Sequence, residues 1–203
     1  MTPEDVETFE RCISVGGVAI FPADTVYGLA TEPDSREGVE RLYRLKGRPP
    51  DKPAAVMFFQ LETALAALSE LGERTRAALE RLLPGALTLV LPNPARRYPL
   101  ACGPEPERLG LRVPRLDGEL APLSEVGWPV LQSSANRAGE PDARRVTDID
   151  GRVRAGVDLV LDAGELPGTP STVVDLSSYD DTGDWSVIRE GAMPLEAVVR
   201  CLR

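Results

Sequence analysis

Short apolar runs alternate along this chain with longer segments of helical period, and few folds accommodate that alternation. Runs this brief cannot span a membrane, so they must pair as strands and be covered by the helical segments, which makes the class α/β. Strands are expected at residues 18–21, 54–59, 87–91, 109–113, 130–132, 157–161, 172–176 and 185–188. Helices are expected from a cap at Thr2 to about Val15, from a cap at Ser35 to Gly47, over 62–71 and 73–83, and near 118–126, 147–155 and 194–202. Thr2 followed by Pro3 is a strong helix start, and Gly47 supplies the left-handed stop. Residues 92–106, rich in Pro and Arg, read as one long surface loop.

The first strand meets Pro22 and gives way to Asp24, Thr25, Tyr27 and Gly28, which places them at its carboxyl end. Ligands of open α/β sheets bind there, although Asp and Thr are also ordinary turn formers. Downstream, Lys46, Arg48 and Lys52 are spaced by Gly47, Pro49, Pro50 and Pro53. Gly lets a backbone wrap closely and Pro fixes its path, so these cations are set out as a rigid anion loop. The other reading is a solvated charged face after a helix end. A Pro-Pro pair favours the loop, as does positive charge in a chain whose formal net charge is -9.

At 203 residues and 42 % hydrophobic, with no long linker, the chain is expected to form a single domain over 1–203. Cys12, Cys102 and Cys201 lack metal or redox spacing and are expected to be free thiols. No export or membrane signal is legible, so a cytoplasmic location is expected. The chain has no histidine, which removes the Ser-His-Asp triad, the Cys-His pair and the imidazole proton shuttle. Any catalysis must rest on charge and positioning.

Five further blocks follow in order: Leu83-Pro84-Gly85-Ala86-Leu87-Thr88, Leu111-Arg112-Val113-Pro114, Ser133-Ser134-Ala135-Asn136, Pro170-Ser171-Thr172-Val173-Val174-Asp175 and Ile188-Arg189-Glu190-Gly191. Together with 22–53, the chain resembles the YrdC-like family, which includes the L-threonylcarbamoyladenylate synthases in a short form without an additional carboxy-terminal domain. The resemblance implies a YrdC/RibB-like fold, a twisted mixed β-sheet flanked by helices with a large concave groove. It also implies a nucleotidyltransferase that condenses L-threonine, bicarbonate and ATP to threonylcarbamoyl-AMP and pyrophosphate, with Mg²⁺ accompanying ATP, for tRNA threonylcarbamoyladenosine modification. Transferase proteins of that modification are the implied partners.

Carried over residue by residue, the resemblance assigns Thr25, Arg112, Gln132 and Ser171 to L-threonine. Lys46, Arg48, Lys52, Ser134, Asn136 and Arg189 go to ATP, with Lys46 and Arg48 as the catalytic pair and no metal-ligating residue. Ala23, Met57, Arg108 and Asp142 depart from the family pattern, which leaves the amino-acid substrate open at this point. The same resemblance admits a sister enzyme making another carbamoyl adenylate, a double-stranded RNA-binding member, or a member that kept the fold and lost catalysis. A net charge of -9 argues against broad contact with a phosphate backbone, so weak or no nucleic-acid binding is expected.

Overall fold

The computed structural model describes residues Met1 to Arg203. Helix α1 (Pro3–Ser14) starts as its sequence requires, because the Thr2 hydroxyl accepts from Asp5 N and the Asp5 carboxylate reaches back to Thr2 N. A hairpin follows, β1 (Ala19–Pro22) and β2 (Tyr27–Thr31), antiparallel with Phe21 opposite Gly28. Strand β2 was not expected from the sequence. Its Tyr-Gly-Leu-Ala-Thr run mixes strong and weak strand formers, and it is extended because it pairs on both sides.

Helix α2 (Arg36–Lys46) is capped by the Ser35 hydroxyl and stops at Gly47, whose φ of 59° is the left-handed conformation that glycine adopts without a Cβ clash. Then come β3 (Ala55–Met57), α3 (Leu61–Ala67), α4 (Glu73–Leu82), β4 (Leu87–Pro92), the short α5 (Pro99–Cys102) and β5 (Arg108–Arg112). Strand β6 (Val130–Ser134), α6 (Gly151–Gly156), β7 (Leu159–Val160), β8 (Thr172–Asp175), α7 (Tyr179–Thr182), β9 (Ser186–Arg189) and α8 (Leu195–Leu202) complete the chain. The expected helix near 118–126 is a 3₁₀ segment, Gly118–Glu125, since Pro122 inside it cannot donate to an α-helical ladder. The loop at 92–106 is pinned at its root. Buried Asn93 donates to Arg97 O and Pro106 O and accepts from Arg97 N.

All nine strands form one mixed sheet in the order β7-β1-β2-β6-β3-β5-β4-β8-β9. Side chains alternate between its faces. Ile20, Leu29, Val56, Leu89, Leu111 and Leu131 point to one face and join α2, α4 and α8 in the larger core cluster. Ala19, Phe21, Ala30, Met57 and Val130 point to the other, under α1 and the 3₁₀ segment, where Phe9 lies 5.3 Å from Phe21 and 5.9 Å from Phe59 by ring centroid. This second helical layer covers only part of its face. The uncovered part, over β6, β3, β5, β4 and β8, is the floor of a groove.

Candidate active site

The groove encloses about 630 Å³, within the range of sites that bind a small molecule or nucleotide. Strand register lays out its floor. Gln132 stands beside Ala55, Ala55 beside Gly110, and Gly110 beside Val90, which makes one row across four strands whose last three members are small or apolar. Charged and polar residues rise around that row.

At one end, buried Arg112, 3 % exposed, reaches Asp24 Oδ1 and Thr25 Oγ1, each at 2.5 Å. The Asp24 side chain is 7 % exposed and accepts from Arg115 N at 3.2 Å. Both bonds from Arg112 leave Nη2, while Nε is buried without a partner. A guanidinium held this way retains donors for an anion placed in the groove. Asp24 went unassigned in the sequence reading; its separation from Arg112 along the chain hides a pairing that only the fold makes.

Beside this end, Ser171 Oγ lies 2.8 Å from Thr88 Oγ1, and Arg189 Nη2 donates to Ser171 O at 2.7 Å. Register brings them together, with Thr88 opposite Val173 and Val173 opposite Arg189. Thr88, the last residue of the Leu83–Thr88 block, likewise has no role assigned on the sequence, because a Thr at a strand position carries no signal of its own.

Arg48 and Lys52 form the opposite wall. Arg48 donates to Lys52 O and Pro53 O, and its guanidinium lies 5.6 Å from the Tyr43 ring centroid, so the loop is folded on its own arginine. Lys46 is placed differently from its loop partners. Its ammonium is buried and donates to Ser134 O, to Asn136 O at 2.7 Å and to Asn136 Oδ1 at 3.1 Å. Ser134 Oγ closes the set at 2.5 Å from Asn136 Oδ1. Lys46 therefore ties helix α2 to the Ser-Ala-Asn turn after β6 and sits behind the groove, whose lining includes Arg48, Lys52, Ser134 and Asp142.

Of the residues assigned on the sequence, Arg48, Lys52, Arg112, Gln132, Ser134, Ser171 and Arg189 line this one groove. Thr25 reaches it through Arg112, and Lys46 and Asn136 through Ser134. Two of the departures from the family pattern lie elsewhere: Ala23 and Met57 are packed in the smaller core cluster under α1. Arg108 and Asp142 do face the groove.

Burial, reinforced by the nearby charges of Arg48 and Lys52, lowers the Lys46 pKa from 10.5 to about 8, against an opposing pull from Asp142. Between pH 8 and 10.5 the unfolded chain therefore holds a proton that folded Lys46 has released, and stability gains with rising pH. Wild type should gain about 2 kcal/mol relative to Lys46→Met between pH 7.5 and 9.5, read from denaturant midpoints. Comparing the two proteins cancels Cys12 and Cys102, whose raised pKa values act in the opposite sense above pH 9. Tyr27, raised to about 12, acts only above that range.

A mixed sheet with one partly covered face, whose groove is lined by more arginines and lysines than carboxylates around a small-residue floor, defines an α/β protein with a predominantly cationic groove. Residues 11–191 match the Sua5–YciO–YrdC family model, described as "Telomere recombination", and the chain belongs to this family. A threonylcarbamoyl-AMP synthase of Pyrococcus abyssi is 28 % identical over 191 residues, covering 94 % of this chain and 55 % of the relative. One of Chromohalobacter salexigens is 36 % identical over 168 residues, covering 80 % of this chain and 88 % of the relative. The solved structure of P. abyssi Sua5 complexed with L-threonine superposes with a TM-score of 0.83 at 27 % identity, covering 99 % of this chain and 58 % of that one. The chain spans about half the length of the longer curated relatives it matches.

No helix is long and apolar enough to cross a membrane. No group of three or more His, Cys, Asp and Glu side chains is placed to hold a metal ion.

Proposed function

We propose that this chain is an L-threonylcarbamoyladenylate synthase, joining L-threonine, bicarbonate and ATP into threonylcarbamoyl-AMP and pyrophosphate. The observation that carries the reading is Arg112, a buried guanidinium that lines one end of a groove whose opposite wall bears Arg48 and Lys52. An amino-acid carboxylate and a triphosphate are the anions that such an arrangement fits. The names of the relatives and the threonine complex of P. abyssi Sua5 point to the same substrates.

The threonine amine first takes up bicarbonate with loss of water to give a carbamate. One carbamate oxygen then attacks the α-phosphorus of ATP, the bond from that phosphorus to the bridging oxygen breaks, and pyrophosphate leaves. The reactants are anions that repel one another, so the barrier falls chiefly through fixed positive charge and alignment. Arg112 and Ser171 would orient the amino acid, with Thr25 holding Arg112, while Arg48, Lys52 and Arg189 would take phosphate oxygens. Lys46 and Asn136 would hold Ser134 toward the nucleotide. No group of three or more acidic side chains is placed to hold a metal ion, so Mg²⁺ would enter as the magnesium complex of ATP. A mixed anhydride product is easily hydrolysed, which favours hand-over to a tRNA-modifying transferase.

The test is pyrophosphate release by purified protein with MgATP and bicarbonate. L-threonine should stimulate release well above L-serine or glycine, because the methyl group adds packing worth about tenfold. Release indifferent to the amino acid would favour a sister reaction on another carbamoyl donor.

A further inference from the structure

Three charged residues that line the groove, Glu105, Arg108 and Asp142, belong to no role assigned so far, and the first two form a pair. Arg108 lies two positions before Gly110 on β5 and so faces the same side of the sheet, at the margin of the row formed by Ala55, Gly110 and Val90. Its guanidinium is fixed from both sides. Nη1 donates to Glu105 Oε2 at 2.9 Å, and Nη2 donates to Asp175, the neighbour of Val90 on β8. Arg108 and Glu105 line the groove, whereas Asp175 is outside its lining. Two carboxylates on one guanidinium leave this corner with excess negative charge, which makes it a poor phosphate site. It offers instead a fixed donor beside a fixed acceptor.

The adjoining row is a shelf. Gly110 contributes no side chain, and an added Cβ would stand 3.3 Å from Ala54 O and Ala55 Cα, so the floor there is backbone flanked by a methyl group and Val90. A flat apolar surface bounded by a donor–acceptor pair suits a planar heteroaromatic ring with a mixed hydrogen-bonding edge.

From this we infer that the shelf seats the nucleobase and that Glu105 with Arg108 selects adenine, an inference that rests on the groove being a nucleotide site. The N7 and N6-amino edge of adenine presents an acceptor beside a donor, matching Arg108 and Glu105. The same edge of guanine presents two acceptors, N7 and O6. An unaccompanied arginine prefers that guanine edge, whereas the Glu105 carboxylate repels O6. Glu105 is thus the residue that turns the site toward adenine, and Asp175 positions Arg108 for it.

Equilibrium binding of ATP and GTP to the purified full chain tests this, independently of any turnover. Wild type should favour ATP by about tenfold or more. Glu105→Ala, at an exposed position that should not disturb folding, should lose that preference or reverse it by tightening GTP. Arg108→Met should weaken both nucleotides while unfolding at a temperature near that of wild type. An unchanged ATP-to-GTP ratio in Glu105→Ala overturns the inference and leaves the nucleotide site standing. Failure of wild type to bind either nucleotide overturns both.

Discussion

Replacing Arg112 by Ala is expected to produce the largest loss in the protein, on two counts. It strands Asp24, whose side chain is 7 % exposed and whose charge partner is gone. Removing one member of a buried ion pair costs about 3–5 kcal/mol, and for a chain of this length that lowers the melting temperature by roughly 10 °C. Asp24→Asn combined with Arg112→Met should recover most of that stability, because the stranded charge is removed and the methionine refills the volume. It should not recover threonine-dependent pyrophosphate release, since the guanidinium facing the groove is absent. Calorimetric unfolding with the release assay on both variants separates the roles. Full activity in the double variant would remove Arg112 from substrate binding.

Arg48→Ala should show the opposite profile, a large kinetic loss with little loss of stability. Arg48 is half-buried, and its contacts within the protein are two loop carbonyls and the Tyr43 ring. Losing these costs no more than about 1 kcal/mol. A charge-assisted bond to phosphate is worth about 1.5–3 kcal/mol, so kcat/KM for ATP should fall about 10- to 100-fold. Arg48→Lys should recover only part, because an ammonium cannot bridge two oxygens in one plane. Steady-state kinetics in ATP at saturating threonine is the check, and a value unchanged from wild type would take Arg48 out of the phosphate wall.

The anion loop was legible because its cues are local. Ser35, Gly47 and the prolines define where α2 ends and how stiffly the next residues are held, and the charges are consecutive enough to be seen together. Lys46 shows the limit of that legibility. In the sequence it is one more cation of the loop, yet it is the last residue of α2 and its side chain turns back to the Ser134 and Asn136 carbonyls. Burial, which sequence spacing does not report, separates it from Arg48. Strand β2 is hidden for a related reason: its extended form comes from neighbours on both sides, whereas its own composition mixes strong and weak strand formers.

Period and punctuation are properties of neighbouring residues, so the α/β class, the capped helices, most of the strands and the rigid basic loop could all be read from the chain in one dimension. The groove could not. It exists because α1 and the 3₁₀ segment cover only part of one sheet face, and because register aligns Gln132, Ala55, Gly110 and Val90 from four strands. The pairing of Asp24 with Arg112, the contact of Ser171 with Thr88, and the bracing of Arg108 by Asp175 all join residues far apart along the chain. Such contacts depend on strand order, which no local preference encodes.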